Sequence, residues 1–189
     1  DYPAARTTEL QQNKFAQAPK SVLITADTVN GVSVEWLTMP ENPADKIILY
    51  IHGGGFVVGS VKTRRSFTGY VADKLKYNIL AVEYRLAPEH PFPAAPEDCF
   101  TVELVQKYAS KDIVVLGESA GGNLVLALLL QIRQAGLPQP AAAICISPCV
   151  QFDTVFPSYT KNAPVDNIVA NLSEEVIDVY LNSHDASKL

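Results

Sequence analysis

The residues with the clearest capacity for chemistry form a G-x-S-x-G pattern, Gly117-Glu118-Ser119-Ala120-Gly121. They lie between an apolar run at 113–116 and a helix-like run at 123–134. At a strand-to-helix turn, flanking glycines permit a bend so sharp that the serine hydroxyl stands clear of the backbone. The N–H groups that follow begin a helix, where negative charge is stabilised. The pattern therefore predicts that Ser119 is a nucleophile and that the Ala120 N–H stabilises the resulting oxyanion.

A run of three glycines follows an earlier strand-like segment, in the order His52, Gly53, Gly54 and Gly55. Glycines let backbone N–H groups approach a ligand closely, as an oxyanion hole requires. A flexible loop or a phosphate cradle would also use glycines. However, neither the G-x-x-x-x-G-K-[ST] pattern nor a helix-opening G-x-G-x-x-G occurs here. We therefore predict that Gly54 and Gly55 donate to the oxyanion, and that His52 and Gly53 support the loop.

Three blocks of the sequence, in this order and spacing, resemble the hormone-sensitive-lipase-like esterases, also called bacterial esterase family IV. The blocks are HGGGF at 52–56, YRLAPEHPFPAA at 84–95 and GESAGGN at 117–123, and the similarity extends over 46–180. The resemblance implies an α/β-hydrolase fold without a metal or organic cofactor. It also implies that Ser119 attacks a small acyl ester, preferably short-chain, to form an acyl-enzyme. One departure is Glu118, where the family more often has Asp.

The same resemblance places the triad acid and histidine after later strands than this chain contains. The only histidines are His52 in the oxyanion motif, His90 in the loop after the fourth strand, and His184 in a polar tail. We therefore expect a missing C-terminal part of the polypeptide to supply both groups, and this chain alone to be inactive. Two alternatives stay open: a small-ligand receptor that keeps the serine motif without turnover, as plant gibberellin receptors do, or an amidase.

The pattern of elements that must position these motifs is an alternation of strands and helices from residue 46 onward. Such alternation indicates a mostly parallel sheet, and Asn30-Gly31 predicts an antiparallel hairpin before it. The predicted strands cover 21–29, 32–39, 46–51, 78–83, 113–116 and 141–147. The predicted helices cover 63–76, 95–108, 120–135 and a last segment that reaches 181, with Ser173 as its N-cap.

This arrangement predicts a single, incomplete α/β-hydrolase domain that stops after about the sixth strand. Its core spans 21–150, and the resemblance assigns 1–20 and 151–189 to cap elements, with 151–166 irregular. The helix at 120–135 is apolar on most sides, so we expect it to be buried. The last predicted strand, 141–147, is apolar and would be left at the edge of the sheet.

Composition narrows the functional classes further. The 189 residues are 48% hydrophobic, and the net charge of −5 without any basic run argues against a nucleic-acid partner. The longest apolar run, 124–130, is too short to span a membrane. The three cysteines lack metal-binding spacing, so we expect buried free thiols and a reducing, cytoplasmic location. They are Cys99, Cys145 and Cys149.

Several other charged residues are interpreted as parts of the scaffold. Glu118 is expected to face away from the substrate as a structural carboxylate. Glu83 and Glu89 are expected to pair with Arg85 or His90. The basic cluster at 62–65 is interpreted as a solvated start of a helix. Phe56, Val57 and Val58 either line the acyl pocket or pack in the core.

Overall fold

The centre of the molecule is a six-stranded sheet with the strand order β1-β2-β4-β3-β5-β6. This computed structural model describes residues 1–15, 17–104, 108–152, 157–166 and 174–184. Strands β3 to β6 run parallel, whereas β2 is antiparallel to both β1 and β4. The predicted arrangement, a parallel sheet with an antiparallel N-terminal hairpin, is confirmed. The strands are β1 (Leu23–Val29), β2 (Val32–Thr38), β3 (Ile47–Ile51), β4 (Asn78–Glu83), β5 (Ile113–Glu118) and β6 (Ala142–Ile146).

Strand β3 lies between β4 and β5, and all five of its residues are buried. A strand covered on both faces needs apolar side chains on both, so its sequence is continuously apolar and does not alternate. Leu49 and Ile51 pack into one core cluster, and Ile48 and Tyr50 into a second cluster on the opposite face. The sheet is therefore covered on both sides at the position that precedes the glycine run.

The predicted hairpin is confirmed at Asn30 and Gly31, which have φ values of 51° and 90°. Two successive residues with positive φ match the twist of the flanking strands, and Asn and Gly tolerate that conformation best. The turn sets Val29 opposite Val32 and so fixes the register of the whole pair.

Six α-helices connect or cover the strands in the described residues, and their positions correct two details of the predicted pattern. The segment 151–166 is not wholly irregular, because it contains a short helix. The helix after the proline-rich loop begins at Ala94 and has Pro96 in its first turn, where proline needs no hydrogen-bonded N–H. Residues 105–107 of that predicted helix and Ser173 lie outside the described residues, whereas Tyr108, its predicted last residue, is not helical. The helices are α1 (Tyr2–Gln12), α2 (Arg65–Leu75), α3 (Ala94–Leu104), α4 (Ala120–Gln134), α5 (Pro157–Asn162) and α6 (Glu174–Leu181).

Helix α4 is buried on one side only, so the expectation that it is buried holds for the side that packs on the sheet. Leu124 and Leu128 are fully buried against the sheet, whereas Leu130, on the outer side, is 52% exposed. The outer side borders an apolar cleft of about 440 Å³. The last strand, β6, lies at the sheet edge as predicted, and its Ile144 is 44% exposed.

The cysteines also differ in part from the prediction. All three are free thiols, but only Cys99 is fully buried, while Cys145 and Cys149 are half-buried. Burial raises the pKa of both half-buried thiols. Cys145 belongs to the edge strand β6, which is covered on one side only, and this explains its exposure. Within the described ranges, no helix combines the length and the apolar character needed to cross a bilayer.

A core centred on β3 predicts how stability responds to truncation there. Replacing Leu49, which is fully buried, by Ala should reduce the free energy of unfolding by about 2–5 kcal/mol, because it removes packed methyl groups and leaves a cavity. The matched control is Leu23→Ala on β1, where the side chain is 64% exposed and the change should stay within about 0.5 kcal/mol. Urea denaturation measures both, and equal losses would contradict a core centred on β3.

Candidate active site

The bend between β5 and α4 places Ser119 in a rarely populated backbone conformation, with φ 55° and ψ −120°. Such conformations cost on the order of 1–3 kcal/mol and persist only where the surroundings impose them. Here the Ser119 N–H donates to the Ile146 carbonyl at 2.9 Å, and its own carbonyl accepts from the N–H of Cys149 at 3.1 Å. The side chain is only half-buried, and its hydroxyl has no hydrogen-bond partner in the described part of the chain. The hydroxyl is therefore not committed to a partner among these residues.

The bend packs directly against the end of β3, with no room for a side chain between them. A Cβ atom on Gly121 would overlap the carbonyl oxygen of Ile51. A Cβ on Gly53 would lie 2.7 Å from the Glu118 carbonyl oxygen and 3.1 Å from the Ser119 Cβ. The two glycine-containing motifs that the sequence analysis singled out are therefore brought together beside the Ser119 side chain.

The loop after His52 turns through successive residues with positive φ: Gly54 at 130°, Gly55 at 60° and Phe56 at 65°. The Gly54 carbonyl accepts from the N–H groups of Val57 at 3.1 Å and Val58 at 2.9 Å, which closes the turn. A Cβ on Gly54 would overlap the Val58 carbonyl oxygen. We refer to residues 53–59 as the glycine loop.

The N–H groups near Ser119 divide into one that is occupied and three that are available. The Gly53 N–H donates to Glu118 Oε1 at 2.8 Å. The N–H groups of Gly54, Gly55 and Ala120 donate to no acceptor within the described residues. The assignment made from sequence, in which Gly53 shapes the loop and the other three N–H groups face a reacting oxygen, stays a prediction.

Glu118 binds three donors with its carboxylate. Besides the Gly53 N–H, Oε1 accepts from Arg64 Nε at 3.0 Å, and Oε2 accepts from the Tyr50 hydroxyl at 2.8 Å. Burial and the neighbouring carboxylate raise the pKa of Tyr50 far above its usual value, so its hydroxyl stays a donor. The carboxylate is fully used in holding the glycine loop, as a structural residue would be.

Sequence reasoning did not find Tyr50 and Arg64 as partners of Glu118. The basic cluster at 62–65 is not simply solvated, because Arg64 binds Glu118 and Glu9, and Arg65 binds Glu35. One signal was present: Tyr50 interrupts an otherwise aliphatic strand, and a buried hydroxyl requires a partner. For Arg64 no local pattern indicates the partner.

His52 is fully buried and lies under the glycine loop. Its Nδ1 is 2.8 Å from the Gly53 carbonyl oxygen, so Nδ1 carries the proton and donates. The ring stacks on Tyr84 at 4.2 Å, and the Tyr84 hydroxyl donates to the His52 carbonyl at 2.8 Å. Burial lowers the pKa of His52 to about 4. The imidazole is therefore neutral and enclosed, and its role in supporting the loop stays a prediction.

The pairings predicted around the proline-rich loop were wrong. Arg85 binds Asp98 of α3 at 2.9 Å, and Glu89 binds Arg6 of α1 at 2.8 Å. Glu83 instead accepts from the Val61 N–H at 2.7 Å. The helices on either side supply closer partners than the loop itself does, and sequence proximity did not reveal this.

The residues after the three glycines pack in the core. Phe56 and Val57 are buried, and Phe56 stacks on Tyr180 of α6 with ring centroids 3.8 Å apart. His184, near the end of α6, has its Nδ1 2.7 Å from the Leu181 carbonyl oxygen. Among the described residues, no three His, Cys, Asp or Glu side chains are grouped as metal ligands would be.

Comparison with known proteins agrees with this fold. Residues 48–188 match the family model of the alpha/beta hydrolase fold. The chain is 39% identical over 124 residues to an acetyl-hydrolase of Streptomyces hygroscopicus. The aligned region covers 64% of this chain and 41% of that protein. The chain therefore spans less than half the length of this curated relative.

Solved structures extend the likeness to nearly the whole chain. The esterase EstE5, in a crystal soaked with p-nitrophenyl butyrate, is 37% identical with a TM-score of 0.91, over 98% of this chain and 63% of its own. An esterase of the bacterial hormone-sensitive lipase family is 32% identical with a TM-score of 0.92, over 98% of this chain and 64% of its own. With the family model matching well over half of its residues, the chain belongs to the hormone-sensitive-lipase-like family of alpha/beta hydrolases.

Proposed function

We propose that the polypeptide containing these residues is a serine carboxylesterase that hydrolyses short-chain acyl esters through an acyl-enzyme on Ser119. The observation that carries this proposal is the position of the Ser119 hydroxyl. It has no hydrogen-bond partner among the described residues, it projects from a strained bend, and it adjoins the glycine loop. Relatives named acetyl-hydrolase and esterase support ester hydrolysis as the reaction class.

The chemistry follows from the groups around that hydroxyl. Ser119 Oγ attacks the acyl carbon while a general base removes its proton, and the carbonyl oxygen becomes an oxyanion. The N–H groups of Gly54, Gly55 and Ala120 stabilise this charge, and loss of one such donor typically costs about 2.7–4 kcal/mol of barrier. The alcohol leaves, and water then cleaves the acyl-enzyme with help from the same base.

The general base is not His52. Its Nδ1 is committed to the Gly53 carbonyl, its ring is fully buried, and a pKa of about 4 makes it a weak base. We propose that the catalytic histidine and its carboxylate partner come from residues beyond this chain. We also propose that 1–20 and 151–189 belong to a cap over the site, and that the free thiols suit a reducing, cytoplasmic location.

Substituting the nucleophile tests the proposal directly. Ser119→Ala in the complete polypeptide should lower kcat for p-nitrophenyl butyrate by about 10⁴-fold or more, because the acyl-enzyme cannot form. Release of p-nitrophenol measures turnover, and intact mass after fluorophosphonate treatment measures labelling of Ser119. A wild type that neither turns over the ester nor becomes labelled would contradict the proposal and favour the small-ligand receptor. Turnover of an anilide at the rate of the ester would favour an amidase.

The glycine loop gives a second prediction. Gly54→Ala should reduce kcat by about 10²–10³-fold, since its Cβ would overlap the Val58 carbonyl and displace the N–H groups of the loop. The matched control is Gly136→Ala, at φ 69° with nothing within 4 Å of the new Cβ, far along the chain from the site. That variant also places a Cβ at positive φ, with a smaller backbone penalty because 69° lies in the left-handed region, and it should keep wild-type kcat. If both variants lose activity equally, general destabilisation explains the loss instead.

His52 predicts a dependence of stability on pH. Its folded pKa of about 4 lies below the ordinary value of 6.5, so between these values only the unfolded chain binds the proton. Stability should therefore fall as pH drops from about 6.5 to about 4, by about 3 kcal/mol in all. Urea denaturation across this range measures the slope. His52→Gln should remove that contribution, whereas His90→Gln, at an exposed position, should leave it intact; an unchanged slope in His52→Gln would overturn the assignment.

A further inference from the structure

Helix α1 contacts the glycine loop through two charged side chains that lie one turn apart on the same face. Arg6 Nε donates to the Val57 carbonyl at 2.6 Å, and the Gly59 N–H donates to Glu9 Oε2 at 2.8 Å. Residues three apart are neighbours on a helix surface, so the pair acts on the loop as a unit. Both contacts are to backbone atoms of the loop, so they constrain its path.

Arg6 also joins the glycine loop to the proline-rich loop. Its Nη2 donates to the Ala87 carbonyl at 2.6 Å and to Glu89 Oε2 at 2.8 Å. The Ala87 N–H in turn donates to the Phe56 carbonyl at 3.0 Å. A guanidinium supplies donors in a fixed fork, which the ammonium of lysine cannot reproduce. Arg6 therefore fixes two loops against each other.

Glu9 is connected to the other end of the loop, Gly53, through the charged side chains of Arg64 and Glu118. Its Oε1 accepts from Arg64 Nη1 at 2.8 Å, and Arg64 binds Glu118, which holds the Gly53 N–H. Gly59 and Gly53 bound the glycine loop, so the Glu9 carboxylate is connected to both of its ends. The side chains of Glu9, Arg64 and Glu118 are between 20% and 24% exposed, and water screens such pairs less than surface pairs.

Helix α1 makes few apolar contacts with the rest of the protein. None of its residues is buried, and Tyr2 alone among them packs against the core, as a partly buried side chain. Its half-buried side chains, at intervals of three and four, are Tyr2, Arg6 and Glu9. Apart from this apolar contact, the inner face of the helix is attached through the charged contacts of Arg6 and Glu9.

We propose that Arg6 and Glu9 are positioning residues for ester hydrolysis: they hold the glycine loop in the conformation that directs its N–H groups at the oxyanion. They touch neither substrate nor Ser119 and act through the loop backbone, Arg64 and Glu118. The proposal rests on the proposed function for its effect on catalysis. Whether Arg6 and Glu9 hold the loop can be measured without any catalytic activity.

The test compares the complete polypeptide with Glu9→Gln and Arg6→Lys. The control is Gln12→Ala, an exposed position on the same helix without a side-chain hydrogen bond in the described part of the chain. Hydrogen exchange of peptides covering 53–59, followed by mass spectrometry, should be about tenfold faster in the two variants and unchanged in the control. For p-nitrophenyl butyrate, kcat should fall by about tenfold to 100-fold. KM should stay within about twofold, because the loop acts mainly in the transition state.

Each alternative result is distinguishable. Loop exchange equal to wild type in both variants overturns the proposal, whether or not the protein is active. Faster exchange with unchanged kcat shows a structural hold only and also overturns a positioning role. A lowered melting temperature with unchanged loop exchange leads to the same conclusion. An inactive, unlabelled wild type would overturn the proposed function instead. Hydrogen exchange of the loop would then show by itself whether Arg6 and Glu9 hold the loop.

Discussion

The site depends on one close approach: the bend at Ser119 packs on the carbonyl end of β3 with glycine at the point of contact. Strands β3 and β5 are adjacent and parallel, so their carboxyl ends, and the segments that follow them, meet at one edge of the sheet. Gly121 allows the contact, because a Cβ there would overlap the Ile51 carbonyl. A serine at the start of α4 and a loop of N–H groups become neighbours through this backbone contact alone.

Charged side chains then fix the shape of the glycine loop, which the backbone contact at Gly121 does not determine. The glycine loop has three successive residues at positive φ and few side chains to anchor it. Glu118 supplies an anchor next to Ser119, its charge is balanced by Arg64, and it accepts a hydrogen bond from the Tyr50 hydroxyl. A half-buried carboxylate with three donors is well satisfied, so it holds the loop without an unpaired charge. Tyr180 adds an apolar contact through Phe56.

The sequence predicted the elements better than it predicted their partners. Apolar runs and the Asn30-Gly31 turn identified the strands, because both signals are local. The pairing of Arg64 with Glu9 and Glu118 joins residues more than 50 positions apart, and no periodicity encodes such a choice. Helix α4 was expected to be buried because of its composition, yet Leu130 lies on the side that the sheet does not cover. Composition reports hydrophobicity, whereas burial depends on which neighbours surround the helix.

The positive φ of 55° at Ser119 strains the bend between β5 and α4. Glycine populates positive φ without the steric cost that a Cβ imposes, so Ser119→Gly would relax the bend while removing the hydroxyl that we propose as the nucleophile. Selection for stability alone would therefore favour glycine at position 119 and would lose that hydroxyl. Attempts to raise the stability of the protein should therefore keep Ser119 and substitute residues on helices remote from it.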